Sequence, residues 1–139
     1  MTTFPASLPA PFEVTRKSLW TGRILTAVLS LLLLMDLSMK LFRVPEAVSG
    51  TVQLGYAESV LVPLGIIQLV ALALYLIPRT AILGAIIWTG YLGGAVATHV
   101  RLDNPLFSHI LSPVYVGAAL WLALWLRDAR VRALLPIRN

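Results

Sequence analysis

The stretch VLVPLGIIQLVALALYLIPRTAILGAIIWTGYLGGAVA, Val60–Ala97, decides the fold. It is two apolar runs, Val60–Ile77 and Ala81–Ala97, joined by Pro78-Arg79-Thr80. A bilayer core of about 30 Å needs roughly 20 helical residues, with about 17 a workable minimum. Proline opens a helix well and continues one badly, so the link predicts an antiparallel helical hairpin. Outward from it lie two more such runs, Leu19–Met35 and Ile110–Leu126. Four of them in 139 residues leave little else, and lipid is the solvent for most of the chain.

The expected fold is therefore an all-α, integral membrane four-helix bundle of up-down-up-down order. Its spans are placed at about 19–41, 59–77, 80–98 and 109–127, within one domain over residues 18–136. Residues 1–17, with Pro5, Pro9 and Pro11, read as an irregular cytoplasmic tail. The Val44–Ala57 loop has room for a short interfacial helix.

Composition agrees. Hydrophobic residues make up 58% and charged residues 12%, where a soluble domain carries about 25% charged residues. Cysteine is absent, which removes disulfides, thiol exchange and iron–sulfur clusters. The net charge of +5 comes from basic residues flanking the spans. That pattern reads as orientation in a membrane, with no nucleic-acid partner. Arg16, Lys17, Arg23, Arg79, Arg127, Arg130, Arg132 and Arg138 share one side, eight in all, against Lys40, Arg43 and Arg101 on the other. The positive-inside rule then puts both termini in the cytoplasm of a multi-pass membrane protein.

Small residues recur every four positions at Gly90, Gly94 and Thr98, and again at Gly93 and Ala97. Such spacing lets helix backbones approach closely. The expectation is that the Gly90/Gly94 face is buried against a neighbouring helix of the same chain, with a homodimer face as the alternative. Trp20, Trp121 and Trp125 read as interface anchors and Trp88 as an interior residue.

Asp36 lies thirteen residues beyond Arg23, so about 20 Å deep at roughly 1.5 Å per residue. Lys40 follows at i+4, the favourable direction for an acid–base pair. Charges at such depth face the bundle interior and are functional candidates by default. The same counting brings Glu58, His99, Arg101, Asp103 and His109 to that end of the bundle, with Gln68 nearer the midplane. Acids, bases and imidazoles together suit proton relay or a polar head group. The catalytic candidates are Asp36, Lys40, His99 and His109, and the substrate-binding candidates are Glu58, Gln68 and Arg101. Against these stand plainer readings: a structural ion pair, loop charges, helix-end histidines, and a Gln68 that only links two helices. Ten residues separate His99 from His109, which is not a local ligand motif, so no metal site is assigned. No phosphate-binding loop, dinucleotide glycine pattern or nucleophile elbow is present.

Tyr75-Leu76-Ile77-Pro78-Arg79-Thr80, Leu83-Gly84-Ala85, Thr89-Gly90-Tyr91-Leu92-Gly93-Gly94-Ala95 and Thr98-His99-Val100-Arg101 together resemble the DoxX-like family. So do Asp36-x-x-x-Lys40-Leu41 and the ending Leu126-Arg127-Asp128-Ala129-Arg130. The resemblance covers roughly residues 20–136. It implies a four-helix protein of the bacterial cytoplasmic (inner) membrane. The family takes its name from a subunit associated with quinone-linked sulfur oxidation. Some relatives carry a carboxylate where this chain has Gln68, which weakens a proton path through the midplane.

Three functions follow as expectations. The first is an auxiliary subunit or partner of a membrane, quinone-linked oxidoreductase, with a polar site at the extracytoplasmic end. The second is a small membrane enzyme doing acid–base chemistry on a lipid-soluble substrate, which would show a lined pocket opening toward lipid. The third is a transporter or channel, which would need a polar path continuing past Gln68. The balance leans away from an enzyme. No cofactor is evident beyond a quinone or lipid. Partners are the bilayer, other membrane subunits or a second copy of the chain.

Overall fold

The computed structural model describes residues 13–135, and no strand occurs among them. Helix α1 (Arg16–Leu41) starts where the Thr15 side-chain oxygen accepts the Ser18 N–H at 3.2 Å, filling one of the orphan donors of a helix start. It stops before Arg43, whose φ of 53° is left-handed. Helix α2 (Pro45–Gln53) carries its proline in the first turn, where a missing N–H costs nothing. A single tight turn at Glu58–Val60 runs into α3 (Leu61–Leu76). Pro78 ends α3, and the Thr80 hydroxyl donates back to the Leu74 carbonyl at 2.9 Å. Helix α4 (Ala81–Arg101) follows. A wide turn at Leu106–Ile110 opens α5 (Ser112–Arg127), and Asp128 caps the short α6 (Ala129–Leu134).

Four segments are long and apolar enough to cross a bilayer: Arg16–Leu41, Glu58–Leu76, Ala81–Arg101 and Leu106–Arg127. The protein is a multi-pass, all-α membrane protein. Of the tail expected over 1–17, residues up to 12 lie outside the described ones, while Arg16 and Lys17 already belong to α1.

Helix α1 packs against α3 and α5, and α4 packs against the same two, so the four long helices close a ring. Inside it lie Leu29, Leu33 and Leu37 of α1, Ala71, Leu72 and Tyr75 of α3, Ala85 and Trp88 of α4, and Leu120, Ala123 and Leu124 of α5. The outside is apolar too: Leu31 is 68% and Met35 61% exposed. In water such a surface would be a liability, and in lipid it is the solvated face.

Lipid tails are as apolar as leucine, so close backbone approach has to hold the helices together. Three glycines supply it. A Cβ on Gly22 would stand 2.9 Å from the Ala123 carbonyl oxygen, and one on Gly65 3.0 Å from the Leu41 side chain. The tightest is Gly84, where a Cβ would fall 2.3 Å from the Tyr75 nitrogen. The expectation for Gly90 and Gly94 is overturned. Both are exposed, and a Cβ on either would meet nothing within 4 Å. The fourfold spacing marks a smooth column on α4, but at Gly90 and Gly94 no neighbouring helix comes into contact with it.

The base of the ring is tied by arginines. Arg127 donates to the Tyr75 carbonyl at 3.2 Å, Arg130 to the Pro78 carbonyl at 2.7 Å, and Arg132 to the Glu13 carbonyl at 2.9 Å. These fasten α5 and α6 across the α3–α4 link and the start of α1.

Candidate functional site

At the other end of the ring, Asp36 and Lys40 are one turn apart on α1 and form an ion pair. The same carboxylate oxygen, Oδ2, accepts a second hydrogen bond from Gln68 Nε2 of α3 at 2.7 Å. Lys40 is mostly covered, with 16% of its side chain exposed, whereas the Asp36 side chain is 50% exposed. Asp36 faces space because it stands in the wall of two cavities.

The first, of about 590 Å³, lies beneath α2 and is lined by Asp36, Lys40, Glu46, His99, Asn104 and His109 among others. The second, of about 790 Å³, runs between the long helices. Leu32, Leu33, Leu64, Leu92, Ala95, Pro113 and Val116 give it apolar walls, and Asp36, Lys40 and Gln68 are joined by hydrogen bonds among its polar residues. Asp36, Lys40, Thr51, Leu54 and His99 border both. Gly90 and Gly94, exposed and without side chains, belong to the edge of the apolar cavity.

The histidines of the sequence reading come together. His99 and His109 meet edge to face with ring centres 5.7 Å apart. The Asn104 amide donates to His99 Nδ1 at 2.9 Å, which leaves the proton of the neutral ring on Nε2. Ser108 bonds His109 at 2.7 Å. No group of three His, Asp or Glu side chains is arranged as metal ligands among the described residues.

Two other candidates are drawn elsewhere. Glu58 pairs with Arg43, and both side chains are about half exposed. Arg101 donates to the Leu54 carbonyl at 2.8 Å, which holds the loop after α2 against the end of α4. Neither lines either of these two cavities.

The sequence reading missed several wall residues. Tyr56 and Thr98 share a 2.6 Å bond, and the Thr98 hydroxyl donates to the Gly94 carbonyl at 2.9 Å. Thr98 has one proton to give, so Tyr56 is the donor to it. Trp88 and Tyr91 stand edge to face at 5.7 Å in the same cavity. The Tyr91 hydroxyl has no hydrogen-bond partner among the described residues. Among the described residues four enclosed side-chain atoms have no partner, and two of them belong to residues of this wall: Gln68 Oε1 and Trp88 Nε1, on residues 2% and 1% exposed. Each such orphan costs about 1–3 kcal/mol. No spacing in the sequence points there, since an aromatic residue deep in a span reads first as packing.

Chemically, the arrangement offers a carboxylate, an ammonium, an imidazole and two phenols in the walls of a largely apolar chamber. No solved structure matches the chain, and no curated protein does. A family model for the DoxX-like family matches residues 24–123, which take in every residue lining both cavities. The chain belongs to the DoxX-like family.

Proposed function

We propose that this protein binds a lipid-soluble amphipathic molecule in the apolar cavity, with the molecule's polar end against Asp36, Lys40 and Gln68. One observation carries the reading: a cavity of about 790 Å³ with largely apolar walls, in which Asp36, Lys40 and Gln68 are joined by hydrogen bonds. Small-molecule sites are of this size and character, at about 300–1,000 Å³ with a few convergent polar groups. Lys40 can donate a proton or hydrogen bond to the bound molecule and Asp36 can accept one. His99 borders the polar cavity as well, so it connects the site with that second chamber.

The same geometry disfavours a transporter. Below Gln68 the ring is filled by Ala71, Leu72, Tyr75 and Leu124, all buried. In a membrane oxidoreductase system the protein would act as the auxiliary subunit that holds a quinone, whose ring oxygens and apolar tail suit the chamber. Acting alone, it would be an acid–base enzyme on such a molecule. The setting we propose is the bacterial cytoplasmic membrane, both termini in the cytoplasm, a reading supported by the eight-to-three basic asymmetry.

Purification in mild detergent, followed by solvent extraction and mass spectrometry, tests the reading. A lipid-soluble compound should leave with the unaltered protein and be depleted in Gly94→Phe, which obstructs the edge of the cavity without a clash at Cβ. Equal recovery from both proteins would refute it.

A further inference from the structure

We propose that the arginine-tied base of the ring is a binding surface for acidic phospholipids, held through their phosphate groups. This surface is at the opposite end from the two cavities and does not depend on the binding reading above.

Charge is the first ground. Arg16, Lys17, Arg23, Arg79, Arg127, Arg130 and Arg132 gather at the base, with two acids, Glu13 and Asp128, among them. At the other end Lys40, Arg43 and Arg101 meet four acids, Asp36, Glu46, Glu58 and Asp103. Among the described residues only Arg130 of the seven basic ones has a carboxylate partner, Asp128 at 2.8 Å.

Two of the others are half-buried, Arg127 and Arg132. Arg127 lies over the Tyr75 ring at 5.1 Å and Arg132 over the Trp125 ring at 4.4 Å. Their hydrogen bonds go to neutral oxygens: the Tyr75 carbonyl for Arg127, and for Arg132 the Trp125 and Glu13 carbonyls and the Ser18 hydroxyl. A half-covered cation has lost part of its hydration, and neutral dipoles leave its charge standing. An anion from outside the chain balances it. Arg16, Lys17 and Arg79 are exposed and make no side-chain hydrogen bond among the described residues. They are the groups that reach such an anion, and phosphate oxygens suit both guanidinium and ammonium donors.

The surroundings select a lipid as its carrier. Large apolar side chains stand exposed beside the charges: Ile24 next to Arg23, Ile77 before Pro78-Arg79, and Leu134 and Leu135 after Arg132. A soluble anion would leave them in water. A bilayer takes both, the apolar groups in its hydrocarbon and the cations at the level of its phosphates.

The test uses the full chain in nonionic detergent micelles, with dioleoylphosphatidylglycerol and dioleoylphosphatidylcholine as probes. The two share their tails and differ in net charge. Affinity is read as the rise in melting temperature with probe mole fraction in the micelle. Each basic residue near an anionic lipid surface is worth about fivefold, so phosphatidylglycerol should bind at least about fivefold more tightly. The gap should narrow between about 0.05 M and about 0.5 M NaCl. Arg16→Gln with Lys17→Gln and Arg79→Gln should remove most of the preference and leave phosphatidylcholine unchanged. Arg43→Gln, at the other end, should leave the preference intact. Should the triple variant fail to fold, Arg79→Gln alone replaces it, with an expected loss of about fivefold.

Equal affinity for the two lipids would overturn the proposal. A preference that survives removal of these charges, or that Arg43→Gln removes as well, would overturn its placement at the base. The same rise in melting temperature from sodium phosphate or poly-glutamate at equal ionic strength would assign the surface to a soluble anion and overturn the lipid.

Discussion

Gly84 of α4 lies against Tyr75 of α3 so closely that a Cβ on the glycine would stand 2.3 Å from the Tyr75 backbone nitrogen and 2.6 Å from its Cα. Backbone cannot yield as a side-chain tip can. Gly84→Ala should therefore force α3 and α4 apart and cost about 1–3 kcal/mol, the usual range for overpacking. Gly94→Leu has open space at Cβ and should leave stability nearly unchanged. Thermal unfolding in one detergent compares the two. Equal losses would contradict the assignment of the contact to Gly84.

The Asp36–Lys40 pair should show coupling in a double-mutant cycle with Asp36→Asn and Lys40→Met. Half of the Asp36 side chain is exposed to the cavities, so the coupling belongs in the ordinary range of about 0.5–3 kcal/mol for contacting groups. Strict additivity would show that the two side chains do not depend on one another. Gln68→Leu should weaken the same network by about 0.6 kcal/mol, the mean for hydrogen bonds between membrane helices.

Acid should loosen the base of the bundle. Burial pushes the Asp128 carboxyl up, but its hydrogen bonds and attraction to Arg130 outweigh that and hold it below the ordinary value of 3.8. A group lowered on folding stabilises the native state above its unfolded pKa, and that contribution fades as pH falls through the lowered folded value. Asp128 also caps α6 through the Arg130 N–H at 2.9 Å, so amide exchange in Ala129–Leu134 should quicken below about pH 4. Asp128→Ala should show low amide protection, relative to intrinsic exchange at each pH, in α6 at neutral pH and little further loss on acidification. A pH-independent rate in the unaltered protein would exclude this role.

Orientation can be read with reporter fusions after Asn139 and within Val44–Ala57. The basic asymmetry predicts opposite sides, with the fusion after Asn139 in the cytoplasm. A reversed result would move the Asp36 end of the bundle to the cytoplasmic face.

Much of this was legible in the sequence, for physical reasons. Lipid forces long apolar helices, so the spans announce themselves, and an acid four residues before a base on one of them leaves few places to point. Counting rise per residue also put Gln68 deeper than the charges, where it reaches Asp36. The direction of a helix face is harder. Gly90 and Gly94 have the right spacing for close approach, but Gly84, with no partner at that spacing, makes the contact. Periodicity reports which residues share a column and not where the column faces. Glu58 lies at the height counted for it but pairs with Arg43, because height in the membrane says nothing of azimuth. Trp88 was read as an interior residue, and that it and Tyr91 line a cavity appears only once the space between the helices is seen.

The exposed glycines have a kinetic consequence. Where Gly90 and Gly94 border the apolar cavity, no side chain has to rotate aside to admit a guest. A molecule already dissolved in the bilayer would reach this edge by lateral diffusion. Its rate of capture should then follow the fluidity of the surrounding lipid, and hardly at all the internal motions of the protein.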